Sequence, residues 1–269
     1  MPFDVEAAVI ANRRLSSDYN VLTLAAPSIA AQAQPGQFVM VKPVAGHDPL
    51  LRRPFSVFEV ISDEGGEPTA ITLLNKQIGV STRRLYDAAV GEHLACLGPL
   101  GRPFTVIEPP AQAWMVAGGV GLAPFALLAE ALHARGAAMT LFYGARTGGE
   151  LFYLDFFKAL GVRLLLTTED GSAGERGRVT TALERELSTL PKGQSALVSA
   201  CGPEGMLAAV ARIAAAAGQP SEVSVERVMG CGLGGCYSCV IPVRHDDAAH
   251  FVRSCIAGPV FAGDEIVWE

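Results

Sequence analysis

The stretch AGGVGLAPF, residues 117–125, decides how the rest of the chain is read. It overlaps an apolar run, AWMVAGG, of the length of a buried strand, and leads into APFALLAEALHARG, whose apolar residues recur at helical spacing. A strand that turns through glycines into a helix aims backbone N–H groups at whatever sits on the turn. The positive end of the helix favours an anion there, such as a pyrophosphate. Gly118, Gly119 and Gly121 give the turn its freedom, and Pro124 suits the first helical turn. The last glycine of the G-x-G-x-x-G dinucleotide fingerprint is missing, and a tight strand–helix turn with no ligand would read similarly.

Toward the C-terminus the same period continues. AMTLFYGAR, VRLLLTTED, SALVSACG and SEVSVERV read as strands, and PEGMLAAVARIAAAAG as a second helix; both helices close on a glycine, Gly136 and Gly218, suited to the position after a helix end. This alternation predicts a parallel α/β sheet. SACGPEGM sets Cys201, Gly202 and Pro203 at the carboxyl end of a strand, where open α/β sheets bind ligands. A buried thiol of no consequence is the competing reading.

Toward the N-terminus the period changes. EAAVIANRRL, YNVLTLAAP, PGQFVMVKP, RPFSVFEVI, PTAITLLNK and EHLACLGPLG are short β-rich runs with Gly and Pro between them, the pattern of a small antiparallel barrel. One short helix is predicted over residues 81–88 with Ser81 or Thr82 as its N-cap. RRPFS combines a guanidinium, a rigid ring, an aromatic and a hydroxyl on one strand. Arg53 can pair with a phosphate, Phe55 can lie along an apolar ligand, and Ser56 can hydrogen-bond a ring edge, together a grip for a flavin. An ordinary strand with an exposed Arg pair would look alike. Glu108, Pro109 and Pro110 read as a linker, so the expected segments are a barrel over residues 1–108, an α/β domain over 109–222 and a small Gly- and Cys-rich unit over 223–269.

That last unit contains GCGLGGCYSC, residues 230–239. Cys231, Cys236, Cys239 and Cys255 are separated by four, two and fifteen residues, the plant-type 2Fe-2S spacing. Gly230, Gly232, Gly234 and Gly235 free the backbone to fold around inorganic sulfide, with N–H groups offsetting its charge. A structural zinc site is the alternative, but it uses two Cys-x-x-Cys pairs and this segment has one. Cys96 reads as a buried small hydrophobe.

The chain of 269 residues is 50% hydrophobic, enough for a sizeable core. A net charge of −6 without any basic run argues against nucleic acid and anionic membranes as partners. The acidic N-terminus does not resemble a signal peptide, and no apolar stretch reaches the roughly 20 residues that span a bilayer. A cytoplasmic setting is expected, where the six cysteines are unlikely material for three disulfides. The five histidines are scattered and form no catalytic grouping.

An R-P-F-S strand, then G-G-x-G-x-x-P, then C-G-P resembles the ferredoxin reductase family of flavoproteins over roughly residues 5–220. With CGLGGCYSC, SCIAGPVF and DEIVW appended, the whole chain resembles the electron-transfer subunits of B-type dihydroorotate dehydrogenases. The resemblance implies FAD contacts at Arg53, Pro54, Phe55, Ser56, Leu74, Asn75 and Lys76, with Gly79, Ser81 and Thr82 near the flavin phosphates. Asn75 stands where the family commonly has an aromatic, and Ser81 where it has a second glycine. It implies NAD on Gly118, Gly119, Gly121, Gly202 and Pro203, with Cys201 at the hydride-transfer face, and a cluster on Cys231, Cys236, Cys239 and Cys255. The implied activity is an NAD-linked relay to a partner subunit carrying FMN and the dihydroorotate site, two copies of each subunit assembling. The alternatives are a reductase subunit of a hydrogenase, transhydrogenase or oxygenase, and a zinc-stabilised binding module. NAD rather than NADP rests on the resemblance alone, since Arg146 stands near where a ribose phosphate would sit and no clear acid replaces it.

Overall fold

Alternating buried and exposed positions near the N-terminus build the first sheet of the computed structural model, which describes residues 1–44, 46, 48–246 and 248–268. Its strands are β1 (Phe3–Arg14), β2 (Tyr19–Ala25), β3 (Phe38–Lys42), β4 (Arg53–Ser56), β5 (Val60–Ser62), β6 (Pro68–Lys76) and β7 (His93–Leu100), with a short α1 (Pro27–Ala30) between β2 and β3. All pairings are antiparallel, in the order β4-β3-β7-β1-β2-β6-β5. β4 curls round to pack against β6, but no pairing among the described residues joins β4 to β5. The expected barrel is therefore a half-barrel. Its register sets Leu22 opposite Leu73 and Leu24 opposite Ile71, so the side chains at every second position form one apolar core with Val39 and Val41.

The short helix is α2 (Val80–Asp87). Its N-cap is Gly79, not Ser81 or Thr82. Thr82 lies in the third helical position and reaches back, its Oγ1 accepting from the N–H groups of Ile78 at 2.9 Å and Gly79 at 3.0 Å. The cap thus comes from inside the first turn, which a search for a capping residue ahead of the helix misplaces.

The second sheet runs β8 (Gln112–Gly118), β9 (Ala138–Ala145), β10 (Arg163–Thr168), β11 (Glu175–Arg176), β12 (Ala196–Cys201) and β13 (Ser221–Ser224) in parallel. Crossovers are made by α3 (Phe125–Ala134), α4 (Leu154–Ala159), α5 (Val179–Ser188) and α6 (Glu204–Ala216). β8 is buried on both faces: Ala113, Met115 and Ala117 meet α3, while Trp114 and Val116 meet α5 and α6. Gly136 and Gly218 follow α3 and α6 with φ of +69° and +66°, the left-handed closure their sequence positions imply. The spacing of Val179, Ala182, Leu183 and Leu187 marks α5, a helix the sequence reading had not named.

The C-terminal segment adds a hairpin, β14 (Val240–His245) with β15 (Ala248–Arg253), a turn of helix α7 (Ser254–Ala257), and β16 (Val260–Ala262). β16 joins the second sheet beside β13, Phe261 facing Val223. Met229, Cys239 and Cys255 pack instead on Phe38, Met40, Leu97 and Leu100 of the half-barrel. The third segment is therefore fastened to both sheets. Glu269, the last residue of DEIVWE, lies outside the described residues.

Candidate functional site

The strand order β11-β10-β9-β8-β12-β13-β16 reverses direction of growth between β8 and β12. Ligands of open parallel sheets sit in the crevice at the carboxyl ends of the strands at such a reversal. Gly118 ends β8, and Cys201 ends β12 in register with Ala117. Between Gly118 and α3 the chain makes a 3-10 turn, Gly119–Leu122, with Pro124 capping the helix. Gly119 is left-handed, φ +55°, and a Cβ there would meet only the Tyr19 hydroxyl, at 3.9 Å. Gly121 has another role: a Cβ there would lie 2.2 Å from the Cys201 carbonyl oxygen and 2.8 Å from Gly202 Cα. The two turns therefore touch backbone to backbone, with Pro203 and Met206 filling the space over Gly118.

Burial pushes the Cys201 thiol up to about 12, aided by the Glu226 carboxylate and opposed by a hydrogen bond with Ser224. It is an uncharged thiol at neutral pH. Sequence reading had not singled out Ser224 or Glu226. A cavity of about 220 Å³ opens beside this turn, lined by Gly202, Pro203, Glu204, Leu207, Val225, Glu226, Arg227 and Trp268.

One apolar core joins the crevice to the half-barrel: Tyr19, Val21, Phe58 and Leu74 pack with Ala117, Leu122 and Phe125. The segment after β9 strengthens this junction, the Phe152 ring tilted against Tyr19 at 4.9 Å and Tyr153 edge-on at 4.6 Å to Phe58. The Tyr153 hydroxyl donates to Glu59 and accepts from Arg13. Neither aromatic carried a local signal of this role.

Arg53, Pro54, Phe55 and Ser56 form β4, an edge strand whose side chains are all half-buried. Arg52 is taken by Asp4 at 2.7 Å, whereas Arg53 donates to the carbonyls of Leu51 and Arg52 at 3.1 Å, with no carboxylate partner among the described residues. Opposite, β6 ends in Leu74, Asn75 and Lys76, and α2 presents Gly79, Ser81 and Thr82 in or beside its first turn. The groove between offers a cation, open helix N–H groups and an apolar wall, which fits a flavin nucleotide. Asn75 faces elsewhere: its amide donates to Asn20 Oδ1 at 2.7 Å and the Thr82 carbonyl at 3.0 Å, and Asn20 in turn donates to Asn12 at 2.7 Å. This buried ladder ties α2 to the sheet. Lys76 lies 4.7 Å from the Tyr19 ring centre and 3.9 Å from Glu150.

The four clustered cysteines are free thiols that fall into two pairs. Cys236 is hydrogen-bonded with Cys231 and Cys255 with Cys239, and Cys231 stands near enough to Cys255 to push its thiol up as well. Cys239 and Cys255 are 2% and 1% exposed, while Cys236 is exposed. The Leu233 N–H donates to Cys231 Sγ at 3.3 Å, and Ser238 Oγ lies 3.1 Å from Cys236 Sγ. Gly232 and Gly234 are left-handed, φ +73° and +79°, and a Cβ on Gly232 would lie 2.6 Å from Met40 Cγ. Two thiol pairs with N–H donors to sulfur fit a two-iron, two-sulfide cluster. Among the described residues no helix is long and apolar enough to cross a membrane.

Residues 226–267 match the family described as the iron-sulfur cluster binding domain of dihydroorotate dehydrogenase B, and residues 115–212 the oxidoreductase NAD-binding domain. The dihydroorotate dehydrogenase B (NAD(+)) electron transfer subunit of Desulforamulus reducens is 34% identical over 98% of this chain and 98% of its own. That of Bacillus caldolyticus is 36% identical over 97% of this chain and 98% of its own. Among solved structures, the NADH-dependent reduced ferredoxin-NADP oxidoreductase is 30% identical with a TM-score of 0.83, covering 98% of this chain and 90% of that one. The ferredoxin reductase of carbazole 1,9a-dioxygenase, at 21% identity and a TM-score of 0.66 over 81% of this chain and 67% of that one, shares the fold.

Proposed function

This chain belongs to the family of dihydroorotate dehydrogenase B electron transfer subunits, and from that membership we propose that it carries electrons between NAD and a partner catalytic subunit acting on dihydroorotate. Arg53, Pro54, Phe55 and Ser56 on one side of the groove and Leu74, Asn75 and Lys76 on the other hold FAD, with Gly79, Ser81 and Thr82 at its phosphates. Asn75 contributes through its backbone, because its side chain is engaged inside the sheet. Gly118, Gly119, Gly121, Gly202 and Pro203 hold NAD, and Cys231, Cys236, Cys239 and Cys255 hold the 2Fe-2S cluster. Bound together, these groups supply hydride exchange at a flavin and its conversion to single electrons.

The chain's own residues do the positioning. Cys201, the catalytic candidate, offers a neutral S–H at the crevice and brings no charge to repel a nucleotide. No general base is needed of this chain. The labour divides along residues 1–108, 109–222 and 223–269, with β16 lending the third segment to the second sheet. The partner carries FMN, two copies of each subunit assemble, and the setting is cytoplasmic. Val228, Leu233, Tyr237 and Ile256, exposed apolar residues around the cysteines, suit the partner contact.

The observation that carries this reading is the docking of the buried Cys239 and Cys255 pair on Met40 of β3, whose register partner is Pro54 of the RPFS strand. The anaerobically purified chain is expected to show flavin and iron-sulfur absorption, and to oxidise NADH with an artificial acceptor while leaving dihydroorotate untouched. A colourless, zinc-loaded, folded preparation would overturn the reading, as would turnover of dihydroorotate by the chain alone. The 30% identity to the NADH-dependent reduced ferredoxin-NADP oxidoreductase favours a second reading, service to a bifurcating complex. The subunit that co-purifies decides between them.

A further inference from the structure

The cysteine loop passes through left-handed space at Tyr237 as well as at its glycines. With φ of +60°, Tyr237 holds a conformation that costs energy for a residue with a Cβ. Such strain persists where the surroundings over-determine it. Arg253 does so here: its guanidinium lies 5.0 Å from the Tyr237 ring centre while its Nη1 donates to the Gly234 carbonyl at 2.9 Å. The turn at Tyr237 doubles the chain back, and Ser238 Oγ comes to lie 3.1 Å from the sulfur of Cys236, two residues before it. Resting on the reading of a 2Fe-2S cluster on Cys231, Cys236, Cys239 and Cys255, we propose that Ser238 raises the reduction potential of that cluster, its hydroxyl donating to the Cys236 sulfur.

The direction of the bond follows from what the hydroxyl already does. The Gly230 N–H donates to Ser238 Oγ at 2.9 Å, which occupies a lone pair and leaves the O–H proton free. A thiolate that ligates iron has no proton of its own, so the hydroxyl donates and the sulfur accepts. Gly230 is part of the same device. A Cβ there would stand 3.1 Å from Cys236 Sγ and 3.4 Å from Ser238 Oγ, so a bare backbone is what lets the three groups meet. The neighbouring ligand Cys231 takes its donor from the backbone, the Leu233 N–H at 3.3 Å, whereas the donor to Cys236 comes from a side chain and can be removed alone. One-electron reduction adds a negative charge to the cluster and moves no proton to or from Ser238. A donor aimed at a ligand sulfur is stabilised more in the reduced state, and the potential rises. Cys236 and Ser238 are both exposed, so water competes for the same sulfur and the effect is that of a fraction of one charge-assisted hydrogen bond.

The test uses the full chain with its flavin and cluster, titrated anaerobically with dithionite and mediators, the reduced cluster being followed by electron paramagnetic resonance and the flavin by absorbance. At the wild-type cluster midpoint, the ratio of reduced to oxidised cluster is expected to fall about threefold to tenfold in Ser238→Ala, tenfold being about 59 mV for one electron. The flavin midpoint should stay in place. Ser238→Thr keeps the donor and is expected to keep the wild-type ratio, which a role of mere packing would not require. An unchanged ratio in Ser238→Ala, or a Ser238→Thr protein shifted as far as Ser238→Ala, overturns the inference while the cluster itself still stands. Loss of iron from Ser238→Ala overturns it too, since the hydroxyl would then hold the cluster rather than tune it. A wild type with no iron-sulfur signal overturns the functional reading, and this inference with it.

Discussion

Gly121→Ala tests whether the two turns at the crevice must touch. The added Cβ would stand 2.2 Å from the Cys201 carbonyl oxygen, 2.5 Å from its carbonyl carbon and 2.8 Å from Gly202 Cα, whereas ordinary contact begins at 3.4 Å. Every obstacle is backbone, so no side chain can rotate away and the turns must part by about 1 Å. Overpacking of this kind destabilises by about 1–3 kcal/mol. The same parting would unseat Gly118, over which Met206 Sδ and Pro203 Cδ leave only 2.8 and 2.9 Å for a Cβ. NAD+ affinity should therefore fall together with stability. Gly205→Ala is the control: Gly205 lies in α6 with no heavy atom within 4 Å of its Cβ position, so the change should stabilise by up to about 1 kcal/mol. Urea midpoints at matched flavin and iron content, with NAD+ titrations on the same samples, provide the readout. A Gly121→Ala protein within about 0.5 kcal/mol of the wild type, binding NAD+ as tightly, would refute the reasoning.

Three further outcomes follow from the same contacts. Asn75→Ala leaves Asn20 Oδ1 and the Thr82 carbonyl without their shared donor, and should lower stability by about 1–3 kcal/mol with α2 exchanging its amide hydrogens faster; a neutral change would contradict the ladder. The Cys96 and Cys201 thiols are both pushed up by burial, from an ordinary 9.0 to about 12. The unfolded chain gives up these protons first, so the stability they contribute is full below pH 9 and lost as pH rises from there toward 12. Cys96→Ala should flatten that decline, and an equal slope in both proteins would count against it. Cys236→Ser and Cys255→Ser should both lose iron while keeping flavin, but only the second should also weaken the cluster-free fold, because Cys255 is 1% exposed among Phe38, Met40 and Met229. Full iron retention in Cys236→Ser would break the pairing of thiols described above.

The central sheet was legible because its period is local: strands of apolar run, helices at 3.6 spacing, and Gly136 and Gly218 closing them. The N-cap of α2 was misplaced because Thr82 caps backward from within the helix, and a list of capping residues does not record direction. α5 carried a readable pattern and was not named. Phe152, Tyr153 and the Asn12, Asn20 and Asn75 ladder gave no local sign, since their partners come from other segments of the chain.

The amino-acid sequence by itself determined which chemistry the chain carries. Thiol spacing and glycine turns act over a few residues, and so does the RPFS strand, so their meaning survives without knowledge of the fold. Tertiary structure alone decided which thiols pair and which pair is buried, and that β16 fastens the cluster segment to the nucleotide sheet. It also reassigned Gly121 from a pyrophosphate turn alone to a contact with Cys201. The reason is range: hydrophobic period and residue spacing fix local conformation, while packing and ion pairing depend on which distant segments the folded core brings within a few ångströms.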